Sequence, residues 1–403
     1  MTHTFASPTS LSAWLFAIAS LTCDPSRALS AEDLVEPVEQ RLDLQIDRLG
    51  ASSYRMRERT SRALVAAGDA AIEPLRLGLD SDDAEIRLQC QRLLIEIRER
   101  RTAWELQHLL TQYDPERSYR LAGWQPFVEA CGDDASARGL FKRLLDRDAA
   151  FMAWLQRVYD DPGYDIENQL EDQQRYLSPD TQRLNSGDLV SWSMLLLAGT
   201  NAKICQVPVL GSHIRCGLQC SPAIQSLTRG NNRVATMRLV RSWLQRQAST
   251  AATRSTLRIA MLYQCDQIAE QLASATLSSD HASPASVQTA LFFLVAHDPQ
   301  TARPRLVDAL QDHRVCQVWQ IASRRRRAIQ TQVRDTALAL LLHLQGIDPR
   351  TVGFRDLQAD PVTIYSEQTL GFETEQARAE AHDAGQRLIA EFEPDAIAHS
   401  SSE

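Results

Sequence analysis

The stretch AEIRLQCQRLLIEIRER, residues 84–100, decides the fold class. Its apolar positions are Ile86, Cys90, Leu93, Leu94 and Ile97, at offsets of 0, 4, 7, 8 and 11. That spacing puts them on one stripe of a helix with 3.6 residues per turn. Asp82, with Glu85 three residues on, reads as a capping-box-like start.

The same template occurs elsewhere in the chain. Thirty residues earlier, Met56, Thr60, Ala63, Leu64 and Ala67 stand at the same offsets, and Gly68 follows as a left-handed helix cap. Downstream it returns as Val333, Ala337, Leu340, Leu341 and Leu344, closed by Gly346. Val287, Leu291, Leu294 and Val295 match its first four positions. Arg57, Arg87 and Arg334 each follow the first template residue, where Gln288 breaks the pattern. Those arginines are expected to bridge to carboxylates or turn carbonyls of adjacent repeats. Shorter apolar helices lie between the copies, at Ile72, Leu75 and Leu79 and at Leu306, Val307 and Leu310. One helix pair cannot bury its apolar face alone, whereas stacked pairs can. The expected fold is therefore all-α: an α-solenoid, a superhelix of paired antiparallel helices.

The phrases Ala71-Ile72-Glu73-Pro74-Leu75, Ala84-Glu85-Ile86-Arg87 and Val333-Arg334-Asp335-Thr336-Ala337-Leu338 resemble HEAT repeats. The arrangement is similar to a group of uncharacterised, exported bacterial HEAT-like proteins whose last repeat runs into a Gly-x-Asp-Pro turn and a Gly-Phe. Here these are Gly346-Ile347-Asp348-Pro349 and Gly353-Phe354. The resemblance covers roughly residues 40–100 and 285–355. It implies a HEAT/armadillo-like fold in which the second helix of each pair lines a concave surface.

The resulting organisation has an export signal over 1–30 and N-terminal repeats over 31–120. An irregular helical region follows over 121–283, then C-terminal repeats over 284–350 with a basic insertion near 312–332. Residues 351–403 read as a turn, a final helix near Glu373 to Phe392 and a disordered end. In the irregular region Leu257, Met261, Cys265, Ile268 and Leu272 read as one stripe, and Val234, Met237, Trp243 and Leu244 as another. Leu189 to Leu197 reads as a buried helix, and Asp160 to Asp188 as loop with one exposed helix.

Hydrophobic residues make up 44% of the chain and charged residues 23%, which suits a folded protein. The net charge of −8 argues against nucleic acid as a partner, since such binding needs a basic surface. Leu11 to Thr22 is apolar but too short to span a bilayer, and Ala28-Leu29-Ser30 offers a cleavage site before Ala31. This points to an exported, periplasmic or envelope protein, although no Lys or Arg precedes the apolar run. Lipidation at Cys23 is the alternative, but Ser20-Leu21-Thr22 departs from the usual lipid-attachment pattern.

Of eight cysteines, Cys205, Cys216 and Cys220 cluster with His213. Three readings stay open for them: ordinary half-buried residues, a local disulfide between Cys216 and Cys220, or a tetrahedral metal site. No Cys-x-x-Cys is present to favour the last. Cys216 and Cys220, four apart, are expected to share a helix face. Cys90 and Cys265 read as small hydrophobes on apolar helix faces.

No His-Glu-x-x-His, Gly-x-Ser-x-Gly or phosphate-cradling glycine loop occurs, so no catalytic residue and no cofactor are assigned. Asp133-Asp134 and Asp160-Asp161 read as turn or cap residues. The candidates for partner binding are basic. Arg324, Arg325, Arg326 and Arg327 form a run with Trp319 nearby, in an insertion longer than ordinary loops. Arg55, Arg59, Arg62 and Arg92 mark the outer faces of the first two template helices. The expected function is a non-catalytic scaffold in the cell envelope that takes an acidic protein partner. The alternative is a metal or redox module, or an accessory subunit of an enzyme, built around Cys205 to Cys220.

Overall fold

The structure is a computed structural model that describes residues 38–166, 168–177, 187–248, 253–321 and 327–400. The expected export signal, Cys23 and Arg324 to Arg326 lie outside the described residues. The chain is mostly helical and divides into two compact units between Ala103 and Trp104. Among the described residues no helix is long and apolar enough to cross a membrane.

The first unit contains α1 (Val38–Arg48), α2 (Tyr54–Ala67), α3 (Ile72–Leu77) and the opening turns of α4 (Ala84–Thr111). Ile86, Cys90, Leu93 and Ile97 of α4 are buried as the template predicts, against Leu42, Ile46, Leu64 and Leu75. Burial pushes the Cys90 thiol up to about 11, so this cysteine behaves as a small hydrophobe.

In α2 the template buries different positions. Met56 is 43% exposed, and Ala63 and Ala67 face outward, while Thr60, Ser61 and Leu64 are buried. Alanine satisfies an apolar pattern without supplying much surface to bury. Leu64 therefore sets the rotation of α2, and Ser61 goes inward beside it.

Arg57 and Arg87 make the same kind of contact, but within their own turns and not to an adjacent repeat. Arg57 Nη1 donates to Ala51 O at 2.7 Å, and Arg87 Nη1 donates to Ser81 O at 2.6 Å. Each guanidinium holds the carbonyl six residues before it, in the turn that leads into its own helix. The cap of α4 is Asp83 rather than Asp82: its Oδ1 accepts from Glu85 N at 2.8 Å. Gly68 closes α2 at φ +59° with open space around the place of a Cβ, so conformation and not room calls for glycine there.

The second unit continues from the last turns of α4 into α5 (Trp124–Cys131), α6 (Ala135–Arg147), α7 (Ala149–Asp160) and the one-turn α8 (Leu170–Asp172). Then come α9 (Leu189–Thr200), α10 (Pro208–Gly217), α11 (Ser221–Thr228), α12 (Arg233–Ala248), α13 (Arg254–Leu262), α14 (Asp266–Leu277), α15 (Pro284–His297) and α16 (Pro299–Ala309). A hairpin of β1 (Val315–Ile321) and β2 (Arg327–Gln332) leads into α17 (Val333–Leu344). The small β3 (Ala359–Asp360) and β4 (Ile364–Tyr365) precede α18 (Glu375–Ser400).

Successive helices from α13 to α18 pack on one another, α15 against both α16 and α17. Helices α9, α15 and α17 are buried on nearly every side. This explains Gln288, which stands where the other template copies have arginine. It is fully buried, and its Nε2 donates to Thr336 Oγ1 of α17 at 3.0 Å. A guanidinium there would need a buried counter-charge.

Four expectations change. The stripe from Leu257 to Leu272 is two helices, α13 and α14, broken at Gln264 with φ +54°. Cys265 is thus buried at the start of α14 instead of lying mid-helix. Val234 is 53% exposed, outside the buried stripe of α12. The insertion near 312–332 holds a β-hairpin, and the final helix runs to Ser400.

Asp134 and Asp161 are cap and turn residues, as read, whereas the Asp133 carboxylate accepts from Tyr113 OH, twenty residues earlier in the chain. Asp134 Oδ1 caps α6 by accepting from Ala137 N, and Asp161 Oδ1 accepts from Gly163 N in a turn. The Ala137 N–H, with Arg238 nearby, holds the Asp134 carboxyl below its ordinary range. A depressed carboxyl contributes stability above its unfolded value and loses it as pH falls through the folded one. Asp134→Ala is accordingly expected to cost about 1 kcal/mol at neutral pH. The gap from wild type should shrink as denaturation is repeated at increasingly acid pH. A gap independent of pH would remove the charge from this account.

Candidate functional site

The hairpin carries the sequence-predicted Trp319 and the end of the arginine run. Trp319 pairs with Ile329, Gln320 with Ala328 and Ile321 with Arg327, the first residue of β2. Strand formers supply this segment: Val315, Val318, Trp319 and Ile321 on one side and Ile329 and Thr331 on the other. Trp319 was expected to offer an anchor, but it is half-buried. Its indole Nε1 is covered and has no hydrogen-bond partner among the described residues.

The base of the hairpin is fixed by a buried ionic cluster that the sequence did not reveal. Asp335, at the start of α17, is fully buried. Its Oδ1 accepts from Arg378 Nε at 3.0 Å and stands 3.1 Å from His382 Nε2, and its Oδ2 accepts from Gln332 N at 2.9 Å. Arg378, 1% exposed, also donates through Nη2 to Gln330 O of β2 at 2.7 Å and pairs with Glu375. Phe372 exchanges both main-chain hydrogen bonds with Gln330. Arg334 donates to Gln332 Oε1 and pairs with Glu375, so it bridges to a carboxylate rather than holding its turn as Arg57 and Arg87 do.

A second buried carboxylate lies nearby in the fold. Glu367, 3% exposed, pairs with Arg254 and Arg258, one turn apart on α13, and accepts from Thr289 Oγ1 at 3.0 Å. Desolvation, followed by the neighbouring Arg258 charge, lowers the Arg254 pKa. Arg254, Arg258 and Glu367 line a cavity of about 500 Å³ together with Gln219, Ser255 and Asp360. Both of its carboxylates are committed: Glu367 to two guanidiniums and Asp360 to the Val362 and Thr363 N–H groups. The cavity balances two positive against two negative side chains.

The cysteine cluster does not assemble. Cys216 ends α10, Cys220 stands before α11 beyond the turn, and the two therefore do not share a helix face. Both are exposed, and Cys205 is half-buried in a separate turn. All seven described cysteines are free thiols. Among the described residues no group of three or more His, Cys, Asp or Glu is placed to hold a metal, so His213 and these cysteines do not form a tetrahedral set. Burial raises the Cys205 thiol, and it pushes Cys131 and Cys316 up to about 12, away from the thiolate that redox chemistry uses.

The four candidate arginines of the first unit lie at its surface. Arg55, Arg59, Arg62 and Arg92 are all exposed, with Arg62 paired to Glu58 at 2.9 Å. Alongside them stand large apolar side chains that the pattern had assigned inward or left unassigned. Tyr54 is 70% exposed, Leu88 60% and Ile95 49%. Leu88 and Ile95, seven apart on α4 with Arg92 between, lie on one face. In the second unit, Trp104 is exposed with the Arg117 guanidinium 4.6 Å over its ring. No family model matches the chain, and no curated protein or solved structure matches it.

Proposed function

We propose that the protein is a non-catalytic α-solenoid scaffold of HEAT-like helix pairs, exported to the cell envelope, that binds a protein partner through α2 and α4. One observation carries the reading. Seven of the thirteen large apolar side chains that stand exposed among the described residues belong to the first unit: Leu44, Tyr54, Met56, Leu77, Leu79, Leu88 and Ile95. Leu88 and Ile95 share one face of α4, and exposed apolar side chains grouped on one face are characteristic of surfaces that meet a partner. Tyrosine and arginine, the types enriched in binding hot spots, stand exposed in the same unit as Tyr54, Arg55, Arg59, Arg62 and Arg92. The exposed arginines favour an acidic partner.

The test is capture from an envelope extract by purified wild type and by a Leu88→Ser/Ile95→Ser variant. Both positions are exposed, so the variant should keep its melting temperature. Proteins held by wild type should be lost from the variant, at about 2 kcal/mol for a hot-spot residue, roughly thirtyfold in Kd. The intact mass of the bait recovered from the envelope reports whether residues 1–30 are removed. Equal capture by both baits would take α4 out of the proposal, and a bait that keeps residues 1–30 would remove the cleaved signal.

A further inference from the structure

We infer that the cavity between α13 and the segment around β3 and β4 binds a small polar zwitterion of the amino-acid class. Its carboxylate would meet Arg254 and Arg258, and its ammonium Asp360. The cavity lies wholly in the second unit, apart from the α2 and α4 surface. Arg254 and Arg258 stand one turn apart on α13 and share a single carboxylate oxygen, Glu367 Oε2. The other oxygen, Oε1, accepts from Thr289 Oγ1 of α15 at 3.0 Å. One negative charge therefore meets two positive ones. Glu367 is 3% exposed, whereas the side chains of Arg254 and Arg258 keep 34% and 30% of their surface open. Among the described residues no other carboxylate lies within ion-pair distance of either guanidinium. A guanidinium carries several N–H donors in a planar fork that matches a carboxylate. The pair is thus equipped to take a second one.

The same cavity offers a negative charge of its own. Asp360 of β3 lines it, half-buried, and among the described residues it pairs with neither arginine. Its Oδ1 accepts from Val362 N at 2.8 Å and from Thr363 N at 3.0 Å. Against desolvation, those N–H groups hold the carboxyl below its ordinary range, so it is charged at neutral pH. They fix the carboxylate without bringing a positive charge to it. A purely anionic ligand would meet Glu367 and Asp360 as well as the arginines, and a purely cationic one would meet the arginines. A molecule that carries both charges matches the wall as it stands. The rest of the lining is polar, with Gln219, Ser255 and Gln368 around the single apolar Leu262, which suits a polar ligand body. The volume of about 500 Å³ falls within the range of small-molecule sites. The walls are also set in advance. Thr253 caps α13 in a capping box, and Ser366 N donates to Gln358 O at 2.8 Å beside Glu367.

The test is calorimetric titration of the purified full chain with each standard free L-amino acid in turn. At least one polar amino acid should bind saturably, with a Kd of about 1 mM or tighter. Its deaminated and its decarboxylated counterparts should each bind about tenfold or more weakly, since each leaves one charged contact unmade. These analogues probe both contacts with the protein unaltered. Asp360→Asn keeps an acceptor for the Val362 and Thr363 N–H groups and removes the charge. Arg258→Gln leaves Arg254 and Thr289 on the buried Glu367. Each substitution should weaken binding by a similar factor, and Arg258→Lys, which keeps the charge, should weaken it less than Arg258→Gln. Absence of binding by every amino acid at about 1 mM would overturn the inference. So would equal binding of the deaminated acid, which would make this an anion site, or binding unchanged by Asp360→Asn and Arg258→Gln, which would move it elsewhere. The Leu88→Ser/Ile95→Ser variant should bind the amino acid as wild type does, so this site and the scaffold surface can fail separately.

Discussion

Arg378→Ala is expected to lower unfolding stability by about 3–5 kcal/mol, the range for breaking a buried ion pair from one side. The guanidinium is 1% exposed and serves three partners: Asp335 through Nε, the Gln330 carbonyl through Nη2, and Glu375. Its removal leaves Asp335 fully buried, with His382 and the Gln332 N–H as its remaining partners among the described residues. The Gln330 carbonyl loses a donor as well. Asp335→Leu in the same background removes the stranded charge, so the double variant should recover part of the loss, a coupling that independent sites do not show. Urea unfolding followed by tryptophan emission is the measurement. Six of the seven tryptophans stand at or beyond Trp104, so the signal reports the second unit. A loss below about 1 kcal/mol, within the range of exposed pairs, would show that the cluster is solvated in solution.

The helical fold was legible where large side chains mark one face of a helix. Ile86, Cys90, Leu93 and Ile97 in α4, and Val333, Ala337, Leu340 and Leu341 in α17, are buried as their spacing requires. Legibility failed where a residue satisfies the pattern at no cost. Ala63 and Ala67 fit the stripe of α2 yet face outward, because alanine has little surface to hide. The break between α13 and α14 had no local mark. Gln264 takes a left-handed conformation with neither glycine nor proline nearby, while Tyr263 OH is drawn to Leu218 O, 45 residues away. The hairpin was misread because the arginine run dominates its composition, whereas the evidence for strands lies in Val315, Val318, Trp319, Ile321 and Ile329 on either side.

The candidate sites were legible only as far as residue type goes. The exposed arginines of α2 and α4 could be read from the polar phase of the stripe. The pairing of Asp335 with Arg378 and of Glu367 with Arg254 could not, since 43 and 113 residues separate the partners and no local spacing encodes either contact. The cysteine cluster shows the reverse. Proximity in sequence suggested a shared site, and the turn after Gly217 separates Cys216 from Cys220.

That turn carries the second large expected effect. Gly217→Ala should destabilise the second unit by about 1–3 kcal/mol, the usual range for overpacking a core. A Cβ at position 217 would come within 1.8 Å of Trp192 Cη2, 2.6 Å of Cζ2 and 2.9 Å of Cζ3. Trp192 is 2% exposed on α9, a helix buried on nearly every side, so the indole cannot swing into solvent. Gly217 does not have a positive φ, and the requirement is therefore for space and not for backbone freedom. The account predicts a specific rescue. Trp192→Leu alone should cost about 3 kcal/mol or more through the cavity it leaves. In that background Gly217→Ala should cost little, because the ring it strikes is gone. The readout is a double-mutant cycle on urea midpoints at constant slope. Additive losses would mean that the glycine is needed for another reason. Coupling of the expected sign would make residues 216–220 a packed corner, shaped by Trp192 and not by a ligand of the two cysteines.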